Sequence, residues 1–456
     1  MSDFVPSDSD QPRATERAGS SGSYGVWTCT ALVVGNIVGS GFFLAPAALA
    51  PYGAVALIAW GVVSIGALCL GLVFARLSRI APETGGPYAY VRLGFGDFAG
   101  FLVAWLYWIS IWISLPAIAL GATDYLHFFF PALQGKTYAN SALAMAMILA
   151  VGLLNLKGTK EVGMVQLIIV SVKLVPFLAV AFIGLFWVDW SHFAPINPTP
   201  MSFFMAFAAT TPFIMYAFIG LETATVPAGE VRNPRRTIAI ATIAGVLLAA
   251  ALYTFGTMSV MGVMSRTALE QSNAPFADAA EVMWGNWAGY MVAAAAILSS
   301  IAALNGWTLV MAQVPLAAAR HGLLPRAFAE LSANGVPAKG ILISMSLSIV
   351  VLLLQSTGSK TLLAAYEFII QLSIVTDMAP YVFCCVVEGL ILMSLGRRIG
   401  FLRPLTYLPV AIIGFGFSML TIFGAGAEPV MWAFLLMLAG LPVYVTIRLR
   451  RSDPEL

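Results

Sequence analysis

The sequence predicts an all-α membrane protein with twelve transmembrane helices, of which the first and the sixth are broken near their middle. Of the 456 residues, 60% are hydrophobic and only 10% are charged, whereas soluble domains carry about 25% charged residues. Long apolar segments recur along the whole chain, and Lys and Arg are concentrated in alternate loops between them. Water is therefore not the main solvent of this protein.

Twelve segments are long and apolar enough to cross the hydrocarbon core, which takes about 20 residues of helix. They lie near 27–49, 54–79, 97–126, 138–156, 162–188, 203–227, 237–263, 286–316, 340–356, 362–394, 404–424 and 428–447. Several exceed the minimum length, so tilted or kinked helices are expected.

The distribution of Lys and Arg predicts the orientation of these segments. With the N-terminus taken as one side, nineteen of the 23 Lys and Arg residues fall on that side. The other side has only Lys136, Arg266 and Lys360, and Lys173 lies inside the fifth segment. Because cytoplasmic loops are enriched in Lys and Arg, a multi-pass protein of the inner membrane with both termini in the cytoplasm is predicted. A miscounted segment would exchange all later loops and blur this asymmetry.

The composition argues against several other classes of protein. The four cysteines lie in apolar segments, without the spacing of a zinc site or a disulfide framework. No basic run suggests nucleic acid, and no phosphate-binding loop of the Gly-x-x-x-x-Gly-Lys-[Ser/Thr] type occurs. No catalytic residue, metal site, cofactor or nucleic-acid partner is therefore predicted.

Glycine and polar residues interrupt two of the predicted spans. The first span contains Gly35-Asn36-Ile37-Val38-Gly39-Ser40-Gly41, and the sixth contains Ile219-Gly220-Leu221-Glu222. Glycines in this density disfavour a continuous helix. Unpaired backbone groups in hydrocarbon cost several kcal/mol each, so such a break survives only where it lines a polar cavity.

These two breaks occupy the same position in two successive blocks of five spans. The arrangement is typical of transporters built as a five-plus-five inverted repeat, in which half-helix ends face a central substrate. Half-helix N–H groups attract a carboxylate and freed carbonyls accept from an ammonium, which suits an amino acid or an amine. Alternatively, Gly35 and Gly39 form a close helix-packing motif, although this does not explain the matched break in the sixth span.

Five motifs resemble the amino acid/polyamine/organocation transporter superfamily and, within it, the basic amino acid/polyamine antiporter family. In chain order they are Gly35–Gly41, Gly85–Tyr90, Phe218–Glu222, Glu230–Arg236 and Asn305–Thr308. The similarity covers about residues 25–450. Within the family, the chain resembles the arginine/agmatine antiporters.

The resemblance implies a division of the chain into three parts. Residues 1–23, which are polar and lack an apolar run, are expected to form a disordered cytoplasmic tail. A transport core of ten helices at 24–395 follows, and two peripheral helices with a short cytoplasmic tail occupy 396–456. Such peripheral helices are often used in dimer contacts, so a homodimer is expected.

Carried over by position, the resemblance also implies which residues bind the substrate. Ser40 and the Gly41 N–H would meet the substrate carboxylate. The carbonyls of Ile37, Tyr216 and Ile219 would accept from its amino group. The remaining expected contacts and aromatic gates are Gly39, Tyr107, Ser110, Trp307, Ser373 and Tyr381.

The chain departs from the pattern of the arginine-transporting members. It has Tyr216 where they have a tryptophan, Leu115 in place of an asparagine and Ile111 in place of a cysteine. The pocket is therefore expected to be less polar on the side of the third span, which puts arginine itself in question as the substrate.

Three ionisable residues lie inside predicted spans, where such groups are costly and usually face a cavity. Glu222 matches a glutamate that relatives use in transport, or it is a structural carboxylate that caps freed N–H groups. Lys173 resembles a fifth-helix lysine of proton-coupled superfamily members, whose ammonium takes the place of a sodium ion; a fixed ion pair is the alternative. Asp377 lies one turn beyond Ser373 on the same helix face. It would pair with a distal ammonium of the substrate. Alternatively, it is part of a gate or forms an interhelical hydrogen bond.

The predicted function is secondary active transport of amino acids and/or polyamines by alternating access, as an antiporter of cationic amino acids or amines. The alternative is a proton-coupled amino acid symporter that uses Lys173 in place of sodium. A channel, a nutrient receptor on the same fold and a membrane-embedded enzyme are the other classes considered. The expected partners are a small amino acid or polyamine, the lipid bilayer and, for symport, protons.

Overall fold

The computed structural model describes residues 24–80, 85–158, 173–223, 231–357, 362–399 and 408–452. Within these ranges the chain forms helices and short loops, with one isolated strand-like pairing of Tyr24 with Val231. Seven of the described helices are long and apolar enough to cross a membrane, and five shorter apolar helices accompany them. The all-α, multi-pass membrane class predicted from composition is therefore confirmed. The predicted disordered tail at 1–23 lies outside the described residues.

The helices of the first half of the chain begin with a span in three pieces. In order they are α1 (Val26–Ile37), α2 (Ser40–Phe43), α3 (Ala45–Leu49), α4 (Val55–Ile80), α5 (Pro87–Phe95), α6 (Asp97–Leu126), α7 (Thr137–Leu156), α8 (Lys173–Trp187) and α9 (Phe203–Tyr216). Of the fifth predicted span, only the part that forms α8 is described.

The second half contains longer and more continuous helices. They are α10 (Pro234–Val263), α11 (Arg266–Glu270), α12 (Pro275–Trp284), α13 (Asn286–Arg320), α14 (Ala338–Thr357), α15 (Leu362–Ile399), α16 (Leu408–Gly424) and α17 (Ala427–Ser452). Each of the twelve apolar segments predicted from the sequence overlaps one of the seven long or five shorter apolar helices.

Helix α6 lies at the centre of the protein and α17 at its edge. In the most apolar stretch of α6, 89% of the residues are buried, against 11% in α17. α6 packs against α13 and α15, which are also long and largely buried. Large side chains of α17, such as Trp432, Phe434 and Leu435, are exposed, as expected of a helix that faces lipid.

Both predicted helix interruptions are present. α1 ends at Ile37, and Val38 and Gly39 are extended, with φ/ψ of −78°/90° and −143°/−158°, before α2 begins at Ser40. α9 ends at Tyr216, and the chain after it forms tight turns in which Gly220 has φ = 108°. Glycine is suited to this position because other residues rarely adopt positive φ. A Cβ there would also lie 3.2 Å from Cζ2 of Trp307.

Candidate functional site

The two interruptions lie against each other in the interior of the protein. A Cβ on Gly41 would lie 2.8 Å from Cδ1 of Tyr216 and 3.2 Å from Cα of Ala217. The first is closer than real Cβ contacts, so the absent side chain of Gly41 is what allows the segment after the first break to approach the end of α9. The sequence motif thus brings the two half-helices together.

A small cavity lies where the interruptions meet. Its volume is about 20 Å³, and one water needs about 10–15 Å³ of such volume. The cavity has room for about one water, and all the residues that line it except Gly41 are buried, so we call it the closed site or closed cavity. The rings of Tyr216 and Trp307 form part of its wall, so a larger solute enters only if this wall moves.

Seven of the ten predicted substrate-binding residues line this cavity. They are Ile37, Gly39, Ser40, Gly41, Tyr216, Ile219 and Trp307. The structure places the other three, Tyr107, Ser110 and Ser373, in a neighbouring polar cluster rather than in the cavity wall.

Four further lining residues were not singled out from the sequence. They are Asn36, Ser114, Ile118 and Ala303. Ser114 and Ile118 follow Ser110 at intervals of four residues on α6, and this spacing places them on one helix face. Helical periodicity counted from Ser110 was therefore a signal in the sequence that could have identified Ser114 and Ile118.

Lys173 donates hydrogen bonds into the first interruption. Its Nζ lies 3.2 Å from the Gly35 carbonyl and 3.1 Å from the Val38 carbonyl. The side chain is 1% exposed, and the ion pairs found among the described residues do not include it. Its buried ammonium is therefore held by backbone oxygens of the break, as a bound cation would be, rather than by a carboxylate.

Three other side chains donate hydrogen bonds to this segment. Ser299 Oγ donates to the Val38 carbonyl at 2.8 Å, and Trp307 Nε1 donates to the Asn36 carbonyl at 3.3 Å. The Tyr366 hydroxyl donates to the Ser40 carbonyl at 3.1 Å. Three carbonyls in and beside the break are thus paired with donors from α13 and α15.

Glu222 is held by two tyrosines beside the second interruption. The Tyr107 hydroxyl donates to Oε1 at 2.5 Å, and the Tyr381 hydroxyl donates to Oε2. All three side chains have 0% exposure. The carboxylate therefore joins α6, α15 and the turn after α9, as a gate residue would.

Asp377 completes a tyrosine–carboxylate cluster, which we define as Tyr107, Glu222, Asp377 and Tyr381. Asp377 Oδ1 lies 3.2 Å from Ser110 Oγ, but the same hydroxyl lies 2.8 Å from the Tyr107 carbonyl. A hydroxyl has one proton to donate, so these acceptors compete for it. The Tyr381 hydroxyl also interacts with Asp377, but it donates its one proton to Glu222, so Asp377 Oδ2 has no donor of its own within the described part of the chain; the residue is fully buried.

The cluster and the cavity lie along one face of α6. Ser110 belongs to the surroundings of Asp377 and Ser114 lines the cavity. Four residues of helix separate them by about 6 Å along the axis. A buried and incompletely paired carboxylate thus lies about one helical turn from the space between the two interruptions.

We predict that Tyr107→Phe destabilises the protein, because it removes one of two hydroxyls that donate to buried Glu222. Hydrogen bonds to charged groups are worth about 1.5–3 kcal/mol. The matched control is Tyr253→Phe, since Tyr253 is equally buried and its hydroxyl has no hydrogen-bond partner among the described residues. Thermal unfolding in detergent should show a lower midpoint for the first variant only. Equal midpoints for the two variants would contradict the assigned role of the tyrosine.

Comparison with known proteins agrees with this arrangement. A family model described as amino acid permease matches residues 24–446. The chain is 31% identical over 429 residues to the cadaverine/lysine antiporter of Escherichia coli (strain K12), which covers 92% of this chain and 94% of that protein. It is 26% identical over 428 residues to the putrescine transporter PotE of Haemophilus influenzae, covering 93% and 97%. The family indicated by the motifs is thereby confirmed: the chain belongs to the amino acid permease family, with relatives among the basic amino acid/polyamine antiporters, and it is a membrane transporter rather than an enzyme.

Proposed function

We propose that the chain is a secondary active antiporter of the inner membrane that exchanges cationic amino acids and diamines by alternating access. The observation that carries this proposal is the closed cavity between two interrupted helices, with buried carboxylates next to it. Carbonyl and carboxylate oxygens are acceptors for the three N–H groups of a primary ammonium. The names of the two relatives, a cadaverine/lysine antiporter and a putrescine transporter, support the same substrate class.

In this proposal the amino acid head group lies between the two interruptions. The first N–H groups of α2, at Ser40 and Gly41, have no acceptor within the helix, and Ser40 Oγ is buried without a partner in the described ranges. These donors would bind the substrate carboxylate. The carbonyls of Ile37, Tyr216 and Ile219 would accept from the amino group, although the Tyr216 carbonyl already accepts from the Ile219 N–H at 3.2 Å.

Asp377 would bind the second, distal ammonium of a dicationic substrate. An incompletely paired carboxylate is expensive to bury, and a ligand cation would supply the missing partner. Glu222 interacts electrostatically with Asp377, so ionising both carboxyl groups is unfavourable while the site is empty. A diamine or a lysine-like side chain would relieve this repulsion.

The proposed topology has twelve transmembrane helices with both termini in the cytoplasm, ten of them in a five-plus-five inverted repeat at 24–395. The matched interruptions of the first and sixth spans support the repeat, and the concentration of Lys and Arg in alternate loops supports the orientation. The two helices at 396–456 would be peripheral. The apolar, exposed face of α17 suits lipid or a second copy in a homodimer.

A second candidate function, proton-coupled symport of amino acids, is favoured by one observation. Lys173 Nζ occupies the position between Gly35 and Val38 carbonyls where a cation would sit. Loss of its proton would remove the positive charge and one of three N–H donors, which would weaken both hydrogen bonds and loosen the first interruption. In symport, proton binding to Lys173 would then be coupled to the shape of the substrate site.

We expect counterflow in vesicles that contain the purified protein. Internal unlabelled cadaverine should accelerate uptake of external labelled lysine, because an exchanger returns to the outside faster with a substrate bound. Uptake should also saturate. Flux that neither saturates nor responds to internal cadaverine would indicate a channel, and the absence of flux would indicate a receptor.

We predict that Asp377→Asn weakens binding of cadaverine and lysine by about tenfold or more, because a charge-assisted contact of about 1.4 kcal/mol or more is lost. A neutral amino acid that binds the wild type should be unaffected. The control is Thr376→Val, since the Thr376 hydroxyl bonds only to backbone carbonyls of its own helix. Competition against labelled ligand measures both effects. Equal losses for cationic and neutral ligands would exclude the ion pair.

We predict that Lys173→Met abolishes the stimulation of uptake by an inward proton gradient if symport operates. Methionine keeps an unbranched side chain and removes the ionisable group. Ser299→Ala is the matched control, because Ser299 donates to the same Val38 carbonyl without carrying a charge. Uptake measured with and without the gradient should lose its difference only in Lys173→Met. A preserved difference in that variant would remove the proton role of the lysine.

A further inference from the structure

A second and larger cavity lies further along α6, beyond the closed site. Its volume is about 320 Å³, and it is lined by Leu44, Ala47, Asp124, His127, Gly135, Thr137, Asn140, Ser272, Asn273 and Tyr366. Leu44, Ala47 and Tyr366 are buried, whereas Gly135 and Asn273 are exposed. The cavity thus has a buried floor and a rim in contact with solvent. In the topology proposed above it opens to the outside of the cell, and we name it the outer cavity.

Residues that hold the first interruption separate the outer cavity from the closed site. The Tyr366 hydroxyl bonds to the carbonyl of Ser40, and Ser40 lines the closed site while Tyr366 lines the outer cavity. A Cβ on Gly121 would lie only 2.6 Å from the Ser40 Cβ. One layer of tightly packed residues therefore stands between the two spaces.

The outer cavity contains acceptors that the fold does not use. No hydrogen bond or ion pair of the Asp124 carboxylate is found within the described residues. His127 Nε2 lies 3.1 Å from Asn140 Oδ1. Because an amide oxygen only accepts, Nε2 is the donor of this bond, and Nδ1 of the neutral ring keeps a lone pair. His127 Nδ1 is buried and without a partner in the described part of the chain; Asn140 Nδ2 also lacks a partner there, but it is a donor and cannot accept from a cation.

These groups are arranged by the local structure. Asp124 and His127 are three residues apart at the end of α6, so they lie on one side of the helix. Asn140 belongs to the first turn of α7, and its bond to His127 fixes the ring. His127 is 7% exposed and Asn140 0%. Two polar side chains that are more than nine-tenths buried thus keep unpaired nitrogen atoms in the wall of a solvent-connected cavity.

The charged side chains in and next to the cavity wall indicate the class of ligand that would bind there. None of its lining residues is Lys or Arg. A further carboxylate, Asp278, is bound to the lining residue Ser272 at 2.5 Å. A primary ammonium suits this site because its N–H groups can donate to the Asp124 carboxylate and to His127 Nδ1 together.

We propose that the outer cavity is a second binding site for the primary ammonium of a cationic amino acid or diamine, with Asp124 and His127 as its acceptors. The site holds a substrate on the outer side of the Ser40–Tyr366 layer, before it enters the closed site or after it leaves. This inference rests on the proposed function for the identity of the ligand. The existence of the site is tested independently of transport.

Equilibrium binding of labelled cadaverine to the full chain in lipid nanodiscs tests the proposal. The wild type should bind two molecules per chain, Asp124→Asn one, and Glu367→Gln two. Glu367 is the matched control because it is an acidic residue adjacent to Tyr366 that does not line the cavity. Asp377→Asn should weaken the other of the two sites. The one molecule that Asp124→Asn still binds shows that this near-isosteric variant is folded.

One molecule per chain in the wild type, or two in Asp124→Asn, would overturn the outer site and leave the proposed antiport standing. A wild type that binds neither cadaverine nor lysine would overturn both.

Transport measured from each side of the membrane in vesicles gives a second test of the outer site. Asp124→Asn should raise the half-saturating concentration of external lysine about tenfold, equivalent to about 1.4 kcal/mol, and leave that of internal cadaverine unchanged. Equal changes on both faces would contradict an outer location.

Discussion

The structure depends on one constraint, which is that the carbonyls freed by the first helix interruption must find donors inside the membrane. An unsatisfied backbone group in hydrocarbon costs several kcal/mol. Lys173, Ser299 and Trp307 supply donors to the break itself, and Tyr366 bonds to the residue that follows it. The donors come from α8, α13 and α15, so the interruption joins helices that are far apart in the chain.

The same constraint determines where the cavities and the buried carboxylates lie. Because the break cannot face lipid, it lies at the centre, next to the second interruption and to α6. Along α6 the protein then offers the tyrosine–carboxylate cluster, the closed cavity and the outer cavity in succession. Carboxylates lie on both sides of the closed cavity, at Asp377 and Asp124. In the function proposed above, a path with carboxylates on both sides of the closed cavity would favour organic cations.

Glycine positions decide how closely these parts approach. A Cβ on Gly306 would lie 1.9 Å from Asn36 Oδ1, so the bare backbone of α13 makes room for the side chain of Asn36. Neither amide atom of Asn36 has a hydrogen-bond partner in the described ranges, although the residue is buried and lines the closed cavity. Leaving such a group unpaired is costly. A ligand or a water at this position would supply the missing partner.

The apolar segments, both interruptions and the buried charges Lys173, Glu222 and Asp377 follow from the sequence alone, because membrane thickness and backbone hydrogen bonding act on neighbouring residues. The family motifs further indicated most residues of the closed cavity. Only the tertiary structure separated Tyr107, Ser110 and Ser373 from that cavity and revealed the outer cavity around Asp124 and His127. These features arise from contacts such as the bond between Tyr366 and Ser40, 326 positions apart. Helix packing determines such contacts, and a local pattern of residues does not predict them.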